Sequence, residues 1–214
     1  MPKPSDYDKN VFINCPFDDE YFLLLNPLLF TVVYFGYRPR IALESSDAGT
    51  ARLDKITTLI QESKYAIHDL SRLQAKSAND YYRLNMPFEL GIDYGLRKFH
   101  PDYIDKRSLI LGSAPYEYMK AISDINGFDI KHHNNDVETL IGCLRQWFSE
   151  TVGLRDLNGV GKIYADFIQF NKDLLLKKMR KYHPAHTITE AEKFAKDEID
   201  NLTIPEYIDE VRVR

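Results

Sequence analysis

The sequence predicts an α/β protein with a doubly wound, five-stranded parallel sheet and a helical appendage at its C-terminal end. Three observations carry this. Short apolar strands alternate with amphipathic helical stretches five times before residue 150. Right-handed crossovers leave few topologies for such a chain, and the flavodoxin-like (Rossmannoid) order 2-1-3-4-5 is favoured. Beyond about residue 152 strand-like segments cease and only helical stripes continue. The division expected is an α/β domain over residues 1–152 and a helical extension over 153–214.

Each element has a local reason. Val11-Phe12-Ile13-Asn14-Cys15 reads as a buried first strand closed by Pro16. Asp18 and Asp19 suit a helix start, and the helix carries Phe22, Leu25, Leu29 and Val33. Asn26-Pro27 predicts a kink or a fresh start within it, and Gly36 ends it. Arg40 to Leu43 is the second strand, and a polar loop leads to a helix with Leu53, Ile56 and Ile60 on one face. Tyr65 to Leu70 is the third strand. After a long polar loop, a helix around Glu89 is expected to bury Phe88, Ile92, Leu96 and Phe99. Ser108 to Leu111 is the fourth strand. Pro115 should open a helix near Tyr116 to Ile125, before a fifth strand at Gly127 to Ile130. Asn134 or Asn135 would cap the next helix, whose stripe is Val137, Leu140, Ile141, Leu144, Trp147 and Phe148. In the extension, Ile163, Phe167, Phe170 and Leu174 form one helical stripe, and Thr189 to Glu192 reads as a capping box with Ile188 as staple.

Composition narrows the function classes. Hydrophobic residues at 44% and charged residues at 28% suit a globular chain able to bury a core. A net charge of −4 argues against the whole chain being a nucleic-acid binder. Apolar runs such as Leu28 to Phe35 are too short to span a bilayer, and the N-terminus lacks a signal-peptide core. Cys15 and Cys143 provide no disulfide framework, so a reducing cytoplasmic location with no membrane association is expected.

The chemistry concentrates at Asn85-Met86-Pro87-Phe88-Glu89-Leu90-Gly91, which places an acid at a helix start beside the carboxyl end of a buried strand. Open α/β sheets bind ligands at that end, in the crevice where the strand order reverses. For order 2-1-3-4-5 this crevice lies between strands 1 and 3. It would gather Asn14, Cys15, Pro16 and Phe17 with Asp69 to Ser71, while Asn85, Met86 and Glu89 enter from the next helix. A carboxylate below a sugar ring can stabilise an oxocarbenium ion or form a covalent intermediate, and a second acid can orient or protonate a leaving base. Glu89 and Asp69 are the expected pair. The plainer alternatives are a helix-start acid favoured by the macrodipole for Glu89 and a turn or cap acid for Asp69.

Asp69-Leu70-Ser71, followed by Asn85-Met86-Pro87-Phe88-Glu89-Leu90-Gly91-Ile92, resembles the motif pair of nucleoside 2-deoxyribosyltransferase-like and TIR-like nucleotide-binding proteins. The resemblance spans roughly residues 10 to 150. It implies Glu89 as nucleophile on the anomeric carbon and Asp69 in the nucleoside pocket. It also implies cleavage or transfer at an N-glycosidic bond of a nucleoside, nucleotide or NAD-like substrate, with no cofactor required. The family further implies a homo-oligomer and a bacterial anti-phage effector as one context. The chain departs from the family pattern in two places. Asn14-Cys15-Pro16 stands where a Gly-containing turn is common, and Tyr81-Tyr82-Arg83 occupies the zone of a second acid, with Asp80 the nearest.

Further candidates are weaker. Ser46, Asp47 and Arg52 belong to a small-residue loop before a helix, a natural place for a phosphate or ribose, or simply a capping loop. The loop 71–84, with Arg72, Lys76, Tyr81, Tyr82 and Arg83, could close over a nucleotide. His132-His133 is a poor metal pair, because adjacent strand side chains point to opposite faces. Lys172, Lys177, Lys178, Arg180 and Lys181 form a basic run that is either a solvated helix face or a nucleic-acid contact. The competing functions are a non-catalytic nucleotide sensor signalling through its helical tail and a nucleic-acid-associated partner subunit.

Overall fold

The structure, a computed structural model, describes residues 3–18, 20–73, 84–120 and 122–213. The chain divides into two compact units, Met1–Leu157 and Asn158–Arg214.

The first unit is a five-stranded parallel sheet in the order β2-β1-β3-β4-β5. The strands are β1 (Asn10–Asn14), β2 (Arg38–Ile41), β3 (Tyr65–Asp69), β4 (Arg107–Gly112) and β5 (Ile130–His132). Its helices are α1 (Phe22–Tyr34), α2 (Arg52–Gln61), α3 (Asn85–Phe99) and α4 (Val137–Trp147). β1 and β3 are buried along their whole length, as parallel strands covered on both faces must be. Helices α1 and α4 pack together, as do α2 and α3. Phe12, Ile56, Leu59, Ile60 and Ala66 fill the space beneath α2, with Ile92 and Leu96 of α3 against them. β2 is an edge strand, which is where Pro39 can be tolerated within a ladder.

Several local expectations are corrected. β2 ends at Ile41, because the Glu44 carboxylate turns back to accept from Arg40 Nη2 at 2.8 Å and from the Ile41 amide at 3.3 Å, closing a 3-10 turn over Ala42–Glu44. α1 runs unbroken through Pro27, so Asn26 lies inside the helix rather than at a fresh start. Pro115 opens no α-helix: Tyr116 sits at φ 64°, in the left-handed region, and two separate 3-10 turns follow. β5 starts at Ile130, since Gly127 and Phe128 belong to the turn before it. Asn134 and Asn135 both take positive φ in the turn that precedes α4, and Asp136 is its cap, accepting from the Thr139 amide at 2.8 Å.

The second unit holds α5 (Val160–Tyr182), α6 (Ile188–Asp200) and α7 (Ile204–Arg212). Ile163, Phe167, Phe170 and Leu174 are the buried face of α5, and α6 packs on it through Ala191 and Ala195. The capping box of α6 is Thr187 with Glu190, two residues before the pair expected, and Ile188 is exposed rather than stapled. Two overlapping Thr-x-x-Glu frames exist here, and the earlier one turns both alanines inward. A second box, Thr203 with Glu206, starts α7, which the apolar pattern did not reveal.

Candidate active site at the carboxyl ends of the first and third strands

α3 decides the site. Its inward residues are Met86, Glu89, Leu90 and Asp93, at spacings of three, one and three. The expected face is displaced: Phe88 and Phe99 point to solvent, while Ile92 and Leu96 are only partly covered. Two carboxylates therefore occupy the inner face of a helix that apolar periodicity alone would have turned the other way. The reason is polar. Asp93 has buried donors waiting for it on β3 and at the start of β4.

Those donors form a chain. Asn14 ends β1 and is aligned with His68 of β3. Its Nδ2 donates to the Met86 carbonyl at 2.8 Å and lies 3.0 Å from His68 Nδ1. A carbonyl can only accept, which identifies the nitrogen, and the second amide proton then faces an accepting Nδ1. His68 therefore carries its proton on Nε2, which reaches Asp93 Oδ2 at 3.2 Å. The same oxygen accepts from Ser108 Oγ at 2.6 Å. The Lys106 ammonium lies 3.1 Å from Asp93 Oδ1 and also donates to the carbonyls of Ile60, at 2.7 Å, and Ser63. Asn14, His68, Asp93 and Lys106 are all buried. Burial alone would push the Asp93 carboxyl up, but the His68 hydrogen bond and the Lys106 charge overcome it and hold Asp93 well below the usual carboxylate range.

Glu89, one turn earlier on α3, has neither kind of support. It is 6% exposed and hydrogen-bonds to none of the described residues. Burial pushes its carboxyl up to about 7, with the more distant Arg52 guanidinium pulling the other way. It opens into a cleft of about 400 Å³, within the size range of small-molecule sites. Asn14, Cys15, Pro16 and Phe17 line one wall. Leu84, Asn85 and Met86 line the other, and Arg52, the first residue of α2, stands at the rim.

No protein-family model, curated protein or solved structure significantly matches this chain.

Several other expected residues lie outside the cleft lining. Asp69 is fully buried and does not line the cleft. Its Oδ2 accepts from Tyr21 Oη at 2.6 Å and faces His133 Nε2 at 3.1 Å, and its Oδ1 accepts from the Ser71 amide at 2.8 Å. Against burial, which would raise it, His133, Ser71 and Tyr21 hold the Asp69 carboxyl low. Burial, followed by the charges of Asp69, Glu89 and Asp18, pushes the Cys15 thiol well up, so it offers no thiolate near neutral pH. Ser46 and Asp47 are exposed, and Asp47 satisfies its own loop by accepting from the Gly49 amide at 2.9 Å and Thr50 Oγ1 at 3.0 Å. The residues Lys76, Asp80, Tyr81, Tyr82 and Arg83 lie outside the described residues. In the basic run, Lys177 pairs with Glu210, Lys178 with Glu198 and Glu210, and Lys181 with Glu198, so much of its charge is spent inside the second unit. Among the described residues no group of side chains could hold a metal ion, and no helix is long and apolar enough to cross a membrane.

Sequence reasoning missed Leu84, Tyr21 and the whole His68–Asp93–Lys106 chain, and weighed His133 only as a metal ligand. Two signals were available. His68 sits inside an apolar strand and needs a partner there, and Glu89 and Asp93 fall four residues apart, on one helix face.

Proposed function

We propose that this chain breaks the N-glycosidic bond of a nucleoside, nucleotide or NAD-like molecule, with Glu89 as the group that meets the anomeric carbon. The observation that carries this reading is the isolation of Glu89: a buried carboxyl, free of hydrogen bonds to the described residues, facing a cleft of small-molecule size and titrating near neutrality. An acid kept only as a helix-start charge would have no reason to be desolvated. In the ionised form Glu89 adds to the anomeric carbon. The electron pair of the carbon–nitrogen bond leaves with the base, which takes a proton from solvent or, for a pyridinium, departs neutral without one. Water or a second acceptor base then releases the sugar from Glu89. Arg52, which lines the cleft, would meet a phosphate of the substrate. Asp69 works through others: by holding Tyr21, His133 and the Ser71 turn, it fixes the end of β3 behind the cleft.

The test is base release. Wild type and Glu89→Gln are incubated with nucleosides, deoxynucleotides and NAD, and free base or nicotinamide is followed by chromatography. Release by wild type, lowered at least about 10²-fold in the variant, is the expected result. Tight nucleotide binding with no release from any substrate would replace this reading with that of a nucleotide sensor. Because the ionised carboxylate is the reactive form, kcat/KM should rise with pH through about 7 and level off above it.

A further inference from the structure

We infer that Asn14 is a specificity-determining residue whose amide oxygen accepts a hydrogen bond from the 2′-hydroxyl of the substrate, so that the cleft selects ribosyl over 2′-deoxyribosyl ligands. The inference rests on the glycosidic reading of the same cleft.

The argument is one of hydrogen-bond supply. Asn14 lines the cleft, yet it is only 3% exposed. An amide side chain offers two N–H donors and one oxygen acceptor. Both donors of Asn14 are committed, one to the Met86 carbonyl at 2.8 Å and one to His68 Nδ1 at 3.0 Å. The amide cannot rotate to offer its nitrogen to a ligand, because that would set its oxygen against the Met86 carbonyl. It is held from behind as well, since His68 Nε2 is anchored on Asp93, and Asp93 on Ser108 and Lys106. What remains is Oδ1, which bonds to none of the described residues. A nearly buried acceptor of this kind is satisfied only by a donor. A phosphate or a carbonyl of the ligand is excluded there; a hydroxyl fits.

Position selects which hydroxyl. Met86 and Glu89 are three residues apart on α3, a rise of about 4.5 Å. The Asn14 amide, bonded to the Met86 carbonyl, therefore stands beside the carboxyl that meets the anomeric carbon. The sugar carbon adjacent to the anomeric centre is C2′, and its hydroxyl is the donor within reach. Sites built to hydrogen-bond a substrate hydroxyl reject the analogue that lacks it far more strongly than apolar pockets discriminate by size.

The test compares adenosine, guanosine, cytidine and uridine with their 2′-deoxy and 2′-deoxy-2′-fluoro analogues. Binding is measured by calorimetry on the Glu89→Gln protein, which stops turnover, and base release is measured on wild type. At least about tenfold weaker binding of both the deoxy and the fluoro analogue is expected, since fluorine accepts but cannot donate. Asn14→Ala in the same background should bring the ratio close to one, whatever its effect on affinity overall. Equal binding of all three sugars overturns the inference even if wild type releases base from each, an outcome that leaves the glycosidase reading intact. Hydroxyl-dependent binding without release overturns the glycosidase reading and supports the role of Asn14. Should Asn14→Ala fail to fold, the fluoro arm on the otherwise unaltered chain decides alone. Absence of binding to all of these nucleosides overturns the inference, and the glycosidic reading falls with it only if deoxynucleotides and NAD release no base either.

Discussion

Glu89 and Asp93 sit one turn apart on the same helix, face the same way, and are both withdrawn from solvent. Their chemistry differs because their neighbours do. Asp93 meets an imidazole N–H, a serine hydroxyl and a buried ammonium, and stays charged. Glu89 meets a cleft. The difference teaches that burial does not determine what a carboxylate becomes: the donors assembled around it before any ligand arrives do. It also separates support from use. Every oxygen of Asp93 is engaged within the protein, whereas Glu89 has its bonding capacity in reserve.

The comparison can be broken most severely at Asp93. Asp93→Asn leaves Lys106 buried with two carbonyls and no counter-charge, so stability at pH 7 should fall by about 3–5 kcal/mol, read from urea unfolding. Adding Lys106→Met should recover part of that loss. A single variant within ~1 kcal/mol of wild type would show that Asp93 is not the charge that holds Lys106.

Glu89→Gln should act in the opposite direction. The folded protein holds a proton on Glu89 up to about pH 7, against 4.5 for an ordinary glutamate. Between those values the folded state binds more protons than the unfolded, so stability declines as pH rises through that window. Gln escapes the decline. It should be about 1–3 kcal/mol more stable than wild type above pH 7, discounted for water in the cleft, with the gain vanishing below pH 4.5. Parallel urea titrations at pH 4.5 and 8 measure it, and a pH-independent difference would contradict the assignment.

Smaller effects sharpen the contrast. Ser108→Ala removes one donor from Asp93 and should cost about 1–2 kcal/mol, with acid unfolding beginning at a higher pH because the Asp93 carboxyl is less well held. Arg52→Gln removes the cation that opposes the rise at Glu89. Its expected signature is the smallest of the set on an unphosphorylated nucleoside: a shift of the kcat/KM profile to higher pH with little change in its plateau, whereas a nucleotide would also lose the phosphate contact and with it part of the plateau.

Much of this architecture was readable from the chain, and the reasons differ by element. β1 and β3 announce themselves as apolar runs closed by Pro16 and Asp69, and alternation with helices fixes the parallel order. That order leads to a crevice at Asn14, Cys15, Pro16 and Phe17; Asn85, Met86 and Glu89 come from the motif at the start of the next helix, and Arg52 from the loop before α2. The orientation of α3 was not legible. Periodicity assigns Phe88, Ile92, Leu96 and Phe99 to the core, and nothing in a one-dimensional pattern shows that Lys106 and His68, far apart in the chain, converge on Asp93. The surroundings of Asp69 were hidden for a related reason. A strand-end acid looks available to a ligand until Tyr21 and His133 are seen to occupy it. Short elements near Tyr116 and Gly127 failed because their conformation is set by left-handed backbone and by packing rather than by pattern.

Lys106 has one more consequence. The Ile60 carbonyl it binds belongs to the last turn of α2, and the Ser63 carbonyl follows just beyond, so the ammonium rests on the negative pole of that helix. The opposite pole of α2 carries Arg52, at the rim of the cleft. One cation thus pins a lever at its far end while, through Asp93 and His68, it also pins the amide on the cleft wall. Rim and wall share a single anchor, and a side chain that never meets the ligand keeps the two in step.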